Sequence, residues 1–165
     1  MVLIIYTQGS HLSTSGQKVA YAALPTTQNI FSATIIELDG GSSEKIRQFL
    51  ARYNSPLEPY AVDIVNAADE YGLDHRLIVA IAMQESGLCK TIPVDSYNCW
   101  GFGIYTGHVT RFTDYKDGIY TVTKALAIRY KKNGLVTPEQ IMTMYTPDSN
   151  GSWATGVNHI MNRLQ

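Results

Sequence analysis

Charge is scarce in this chain of 165 residues, since Asp, Glu, Lys and Arg together make up only 16% and the net charge is −1. Globular proteins usually carry about a quarter charged residues. A nearly neutral chain lacks the basic surface that nucleic acids and anionic membranes attract, so we expect neither partner. Uncharged polar residues and 11 tyrosines take the place of charges, which suits contact with neutral, hydroxyl-rich ligands.

Long hydrophobic runs are also missing. The apolar run Val2–Tyr6 is far too short to cross a bilayer or to form the core of a signal peptide. We therefore expect no transmembrane segment. If the protein is exported, we expect its signal to have been removed or to lie upstream. The hydrophobic content of 45% is ordinary, and the length fits one globular domain with a tail.

Cysteine is limited to two residues, and the histidines have no regular spacing. None of the histidines pairs at helical spacing with another histidine or with a cysteine, and a zinc site needs more ligands than such spacings supply. We therefore predict no metal and no other cofactor. The residues concerned are Cys89, Cys99, His11, His75, His108 and His159.

The composition changes near residue 41. Residues 1–41 are rich in Ser, Thr, Gly and Gln, and they contain two short β-prone runs, Val2–Tyr6 and Phe31–Leu38. The turn sequence Asp39-Gly40-Gly41 follows the second run. This predicts a poorly structured tail or stalk over residues 1–41, with one strand at most, followed by a folded domain over residues 42–165.

Apolar residues at helical spacing predict six helices and a mainly α fold. The third helix is apolar on every side from Leu77 to Met83, so we expect it to be the buried central helix. The predicted boundaries are Ser42–Ser43 to Asn54, Pro59 to Tyr71, Asp74 to Gly87, Asp114 to Gly134, Thr137 to Tyr145, and Ser152 to Leu164.

The segment between the third and fourth helices has a different character. Residues 88–113 show no helical period and contain Pro93 and three glycines, Gly101, Gly103 and Gly107. Such a sequence predicts loops and at most a small hairpin.

Glu85 is unusual because it projects from the most apolar helix of the chain. It lies seven residues after Ile78 and four after Ile81, so the three share one helix face. Burial and the negative end of the helix dipole both disfavour the carboxylate form, and both raise its pKa. A glycosidase needs such an acid to protonate a leaving oxygen. The alternative is a solvated side chain in a fraying last turn.

Four ordered segments resemble the bacterial glucosaminidase family and its lysozyme-like relatives. The resemblance covers roughly residues 57–164 and is much more specific than any single segment. The segments are the helix that ends in Glu85-Ser86, the run Asn98-Cys-Trp-Gly-Phe-Gly-Ile104, the stretch Phe112-Thr-Asp-Tyr-Lys-Asp-Gly-Ile119 and the run Tyr145-Thr146-Pro147-Asp148.

The resemblance implies an α+β lysozyme-like fold in which the loop segment forms a glycan groove. Glu85 aligns with the general acid of the family, and Tyr145 aligns with a tyrosine that lines the catalytic centre. The wall of the groove would be formed by Gly101 to Tyr105, where glycine lets a sugar approach the backbone.

Aromatic rings near this wall offer flat apolar faces to sugars. The candidates for substrate binding are Tyr97, Trp100, Gly101, Phe102, Gly103 and Tyr105. Core packing is the alternative for each aromatic residue. Trp153, which opens the apolar stripe of the last helix, is assigned to the core.

The sequence does not supply an obvious second catalytic acid. Asp95 lies in the loop segment, where the second acid of glucosaminidases is often sought, and is the candidate we name. Asp114 is more readily explained as a helix cap, and Asp117 as an acid in the first turn. Two routes need no second carboxylate: attack by the acetamido group of the substrate, or attack by its 6-hydroxyl to give a 1,6-anhydro product.

Cys89 and Cys99 bracket a loop directly beside Glu85. In an exported protein this arrangement favours a disulfide, and two free thiols are the alternative.

We therefore expect a monomeric enzyme, secreted or held in the cell envelope, that cleaves the glycan strands of peptidoglycan as an endo-β-N-acetylglucosaminidase does. A lytic transglycosylase and a non-catalytic module that binds the cell wall are the alternatives.

Overall fold

The fold is mainly helical in the part of the chain that the computed structural model describes, residues 41–165. No β-strand is formed in this range. The predicted tail and its β-prone runs, Val2–Tyr6 and Phe31–Leu38, lie outside the described residues. The six α-helices are α1 at residues 41–52, α2 at Ala61–Tyr71, α3 at His75–Ser86, α4 at Tyr115–Arg129, α5 at Pro138–Tyr145 and α6 at Ser152–Arg163.

Helix α3 is the centre of the core, as its apolar sequence predicts. Every side chain from Leu77 to Ala82 is buried. The helix packs most extensively against α6 and also contacts α2 and α4. Helix α1 adds Ile46, Phe49 and Leu50 to the same core. None of the helices in the described range has both the length and the apolar character that crossing a bilayer requires.

Several helices begin or end at the residues that local capping signals predict. The Asp74 side chain accepts a hydrogen bond from the Arg76 backbone N–H at 2.9 Å and caps α3. At α5, Thr137 and Gln140 form a reciprocal capping box. Gly87 ends α3 in the left-handed conformation, at φ +59°, which glycine adopts without the steric cost of a side chain.

Some predicted helix ends and caps differ from the observed ones by a few residues. Residues 41–43 are already helical, so Ser42 and Ser43 lie inside α1. Helix α4 ends at Arg129, and Gly134 instead ends a short 3₁₀ helix, Lys131–Asn133. Gly151 rather than Ser152 occupies the cap position of α6. There the free backbone N–H groups of Ser152 and Trp153 are bound by the side chains of Asn150 and Ser149.

Residues 88–113 form loops, as predicted, but the small hairpin is reduced to a single antiparallel pair. The backbones of Tyr105 and His108 exchange two hydrogen bonds, of 3.2 and 2.8 Å. Beyond this pair, the Gly103 carbonyl oxygen accepts a hydrogen bond from the Thr110 side chain at 3.1 Å.

Two links hold this loop segment against the end of α3. Cys89 and Cys99 form a disulfide with their Cα atoms 4.6 Å apart, as the exported-protein interpretation predicts. The buried Ser86 hydroxyl donates to the Cys99 carbonyl oxygen at 2.7 Å and accepts from the Cys89 backbone N–H at 2.9 Å. The last turn of the central helix therefore fixes both ends of the disulfide loop.

Replacing both cysteines, Cys89→Ser with Cys99→Ser, should lower the free energy of unfolding by roughly 2–3 kcal/mol, because the bridge closes a loop of 11 residues in the unfolded chain. Urea unfolding followed by circular dichroism measures the difference. Wild-type protein in a reducing buffer should match the variant, and the variant itself should not respond to reductant. An unfolding midpoint that neither change moves would contradict the stabilising role of the bridge.

Candidate active site

Glu85 lies in the last turn of α3 with a half-buried side chain. Its Oε1 atom accepts a hydrogen bond of 2.7 Å from the indole Nε1 of Trp153. The alternative interpretation of Glu85 as a solvated residue in a fraying turn does not fit this contact. The side chain is instead held between two packed helices.

Trp153 reaches Glu85 because α6 passes close to α3. A β-carbon added at Gly156, one turn after Trp153, would lie only 2.1 Å from Oε1 of Gln84, the neighbour of Glu85. Glycine at this position therefore leaves room for the Gln84 side chain. The approach of the two helices brings together residues that are 68 positions apart in the sequence.

Gly101 lies on the other side of the carboxyl group. A β-carbon added at this glycine would be 3.1 Å from Oε2 of Glu85 and 3.8 Å from its carboxyl carbon. Gly101 also has a φ of +62°, a conformation that residues with side chains rarely adopt. The absence of a side chain here leaves space directly beside Oε2.

The backbone around Gly101 is fixed by Asn98, which is almost fully buried. Its amide nitrogen donates to the carbonyl oxygens of Phe102, at 2.8 Å, and Thr110, at 3.0 Å. Its amide oxygen accepts from the Phe102 backbone N–H at 3.1 Å. One buried side chain thus replaces the backbone pairing that this irregular segment lacks.

Tyr145 joins the site from the C-terminal end of α5. Its ring stacks on the indole of Trp153 with the ring centroids 5.2 Å apart, and its hydroxyl donates to the carbonyl oxygen of Trp100. Burial, and next the nearby charge of Glu85, raise the pKa of Tyr145 well above its ordinary value. The phenol is therefore neutral at physiological pH and lies within the electrostatic reach of Glu85.

Burial is the main cause that raises the pKa of Glu85 above the ordinary glutamate value, and the hydrogen bond from Trp153 opposes it by stabilising the carboxylate. The net direction is upward, as predicted from the sequence. The group is thus better suited to hold a proton near neutral pH than an exposed glutamate.

Of the three aspartates considered as a second acid, two are engaged at the start of α4 and one is exposed in the loop segment. Asp114 caps α4 by accepting from the Asp117 backbone N–H at 2.8 Å, as expected. Asp117 accepts hydrogen bonds from Thr113 and Thr121, which lower the pKa of its carboxyl group. Asp95 is exposed at a left-handed backbone position in the loop segment.

The aromatic residues predicted to bind sugars divide into two groups. Trp100 is 0% exposed, and its indole N–H donates to the Ile78 carbonyl oxygen at 3.0 Å, so its ring is part of the core and cannot serve as a sugar platform. Tyr97 is half-buried against Tyr115.

Phe102 and Tyr105 differ in exposure. Phe102 is half-buried, with the Arg129 guanidinium 5.5 Å from its ring centroid. Tyr105 is 66% exposed and stacks on the His108 ring at 4.7 Å. Tyr105 is therefore the most accessible of the predicted platforms.

Trp153 and Asn98 are the residues of this site whose roles the sequence interpretation missed. Trp153 does belong to the core, at 5% exposure, but it is also the hydrogen-bond partner of Glu85. Its position at the start of an apolar stripe gives no sign of that partner. Asn98 lies within one of the family-like segments, directly before the glycine-rich run that starts at Gly101, and that position was the available signal.

No group of three or more His, Cys, Asp or Glu side chains within residues 41–165 is placed to hold a metal ion. No protein-family model matches the chain, and no curated protein matches it either.

The raised pKa makes the stability of the protein depend on the ionisation of Glu85. Below the ordinary glutamate pKa, Glu85 is protonated in both the folded and the unfolded states. Its contribution to the free energy of unfolding is then fully present. As the pH rises, Glu85 ionises first in the unfolded chain. Its contribution to the free energy of unfolding is therefore lost progressively until the pH reaches the pKa of Glu85 in the folded state. The exchange Glu85→Gln removes this ionisation but keeps an amide oxygen for Trp153.

The stability of Glu85→Gln relative to wild type should therefore increase as the pH rises through the folded pKa of Glu85. Chemical unfolding between pH 4 and pH 8 measures this difference. Glu139→Gln is the control: hydrogen bonds to its own backbone and to Thr137 lower the pKa of Glu139, so its effect has the opposite sign and falls below the ordinary glutamate pKa, outside the range where the effect of Glu85 appears. A pH-independent difference for Glu85→Gln would contradict a raised pKa.

Proposed function

We propose that this protein cleaves the glycan strands of peptidoglycan, with Glu85 as the general acid that protonates the leaving oxygen. One observation carries the proposal. A carboxyl group is held half-buried at the end of the central helix, between an indole N–H and a glycine that leaves space beside Oε2. A purely structural carboxyl group gains nothing from this placement, because burial costs free energy when the group is ionised.

The surroundings of Glu85 support a neutral polymeric substrate. The chain has little charge, and the side chain that donates a hydrogen bond to Glu85 is the neutral indole of Trp153. The loop segment offers exposed backbone at Gly101 and Gly103 and an exposed aromatic ring at Tyr105. Backbone amides bind hydroxyl and acetamido groups, and an aromatic face packs against a sugar ring.

The four family-like segments also support the proposal, because the structure brings three of them together. Glu85-Ser86, the Asn98–Ile104 run and Tyr145 are joined by direct hydrogen bonds or close approach. We extend the resemblance to a lysozyme-like domain in which residues 101–105 form one wall of the glycan groove.

The chemical step begins with Glu85 in its protonated form. The anomeric C–O bond breaks, its electron pair stays on the leaving oxygen, and that oxygen takes the proton from Glu85. Glu85 is left as a carboxylate, which the Trp153 N–H stabilises. The carboxylate then takes a proton from the hydroxyl group that attacks the anomeric carbon, and the acid is restored.

The identity of the attacking group separates hydrolysis from transglycosylation. Retaining and inverting glycosidases normally use a second carboxyl group about 5–9.5 Å from the first. Asp114 and Asp117 are engaged at the start of α4, and Asp95 is exposed in the loop segment. This favours a single-acid route, in which the acetamido group or the 6-hydroxyl of the substrate attacks. A lytic transglycosylase is therefore the second candidate function.

Purified protein should release soluble fragments from insoluble peptidoglycan, and Glu85→Gln should reduce the rate by about 10²–10⁴-fold, the typical contribution of general acid catalysis. Turbidity loss and liquid chromatography of the released fragments measure the rate. Asp95→Asn is the matched control, because the single-acid route predicts that this exchange leaves most of the activity in place.

Mass spectrometry of the fragments identifies the route. Reducing ends indicate hydrolysis, and products lighter by one water indicate transglycosylation. Near-normal cleavage by Glu85→Gln would refute the role of Glu85. Tight binding to peptidoglycan with no release of fragments would instead indicate the non-catalytic wall-binding module.

A further inference from the structure

We propose that Trp153 positions the Glu85 carboxyl group so that its acidic proton is carried on Oε2, the oxygen that faces Gly101, and is delivered from there. The delivery step rests on the function proposed above. The orientation of the carboxyl group does not, because it follows from contacts within the protein.

The first step of the argument is the chemistry of the indole group. The Trp153 N–H can donate a hydrogen bond and cannot accept one. Oε1 of Glu85, 2.7 Å from Nε1, must therefore act as the acceptor whether the carboxyl group is ionised or not. The carbonyl oxygen of a carboxylic acid accepts a hydrogen bond better than its hydroxyl oxygen does, so the protonated group places its carbonyl at Oε1 and its hydroxyl at Oε2.

The second step is the rigidity of Trp153. The ring is 5% exposed and stacks on Tyr145. The Tyr145 hydroxyl in turn donates to the Trp100 carbonyl oxygen, next to Gly101. The backbone N–H of Trp153 donates to Ser149 Oγ at 3.2 Å. These contacts leave the indole without freedom to turn away from Glu85.

The third step is the space beside Oε2. A single added carbon at Gly101 would lie 3.1 Å from this oxygen, which is within the distance at which a leaving oxygen would accept the proton. The position that a side chain would occupy is thus the position that a substrate oxygen needs. Gly101 therefore controls access to the acidic proton.

Ionisation of other groups does not complicate the titration of Glu85. Tyr145 at the end of α5 interacts with the charge of Glu85. Behind Tyr145 lie Tyr130 at the end of α4 and the charged side chain of Arg129 beside Tyr130. Burial raises the pKa of both phenols above 10, so both are neutral between pH 4 and pH 9. Two uncharged residues also face the carboxyl group: Trp153 from α6 and Gly101 from the loop segment.

The orientation is tested on the full-length protein without substrate. Trp153→Phe and replacement of Trp153 by 3-benzothienylalanine, an isostere with sulfur in place of N–H, both remove the donor. Either change should raise the pKa of Glu85 by on the order of one pH unit, because the carboxylate loses a hydrogen bond. NMR titration of the ¹³C-labelled Glu85 carboxyl carbon measures the shift.

The same isostere at Trp100, whose N–H donates to the Ile78 carbonyl oxygen, is the matched control and should leave the pKa of Glu85 unchanged. The isostere at Trp153 preserves ring size, so it keeps the test valid if Trp153→Phe does not fold. If the isostere at Trp153 leaves the pKa of Glu85 unchanged, Trp153 does not position the carboxyl group. A residue that only filled the core would give that result.

Delivery from Oε2 is tested with Gly101→Ala, which should lower kcat/KM on peptidoglycan by about 10²-fold or more because the added carbon occupies the place of the leaving oxygen. Gly134→Ala is the control for backbone strain: Gly134 also has a positive φ, +79°, but no atom lies within 4 Å of an added β-carbon. Gly134→Ala should retain activity.

The outcomes separate the two proposals. Wild-type cleavage by Gly101→Ala overturns delivery from Oε2 even if the protein is an enzyme. A wild-type protein that does not cleave peptidoglycan refutes the proposed function and the delivery step together. In that case the titration of the Trp153 variants still decides the orientation of the carboxyl group.

Discussion

The hydrogen bond from the Ser86 hydroxyl to the Cys99 carbonyl oxygen, 2.7 Å long, is the contact on which the candidate site depends. It joins the end of the central helix to a segment of 26 residues, 88–113, that has neither helix nor strand to hold its shape. The disulfide and the buried Asn98 side chain then fix the path of the chain between Cys99 and Thr110. Gly101 is held beside Glu85 because every one of these anchors lies within a few residues of it.

The same arrangement explains how a carboxyl group can be half-buried without being left unsatisfied. Burial alone disfavours ionisation, and an unpaired buried carboxylate would be costly. The Trp153 N–H stabilises the carboxylate, but as a single neutral donor it does not remove the effect of burial, so the pKa stays raised. An arginine or lysine partner would have lowered it. Because the hydrogen-bond donor is neutral, the pKa of Glu85 stays raised and the group can act as an acid. A protonated Glu85 also agrees with the low charge of the whole chain.

Local chemistry made much of the helical framework predictable. Asp74 and the Thr137–Gln140 pair satisfy backbone groups one turn away, and Gly87 adopts the left-handed conformation that ends α3, so each acts on its own neighbourhood. The predictions failed where a different local solution was available. Gly134 was given the role of ending α4, but the chain first tightens into a 3₁₀ helix after Arg129. Ser152 was given the role of a cap, but Asn150 and Ser149 bind the free N–H groups at that end of α6.

The sequence by itself determined that Glu85 projects from an apolar helix and that two cysteines flank the loop next to it, because both follow from spacing along one stretch of chain. Only the tertiary structure decided what surrounds the carboxyl group. Trp100 and Trp153 have the same side chain, yet one N–H binds a helix carbonyl of Ile78 and the other binds Glu85. Which partner each indole binds depends on how α6 crosses α3. That crossing joins Glu85 and Trp153, 68 residues apart in the sequence, and no local pattern encodes it.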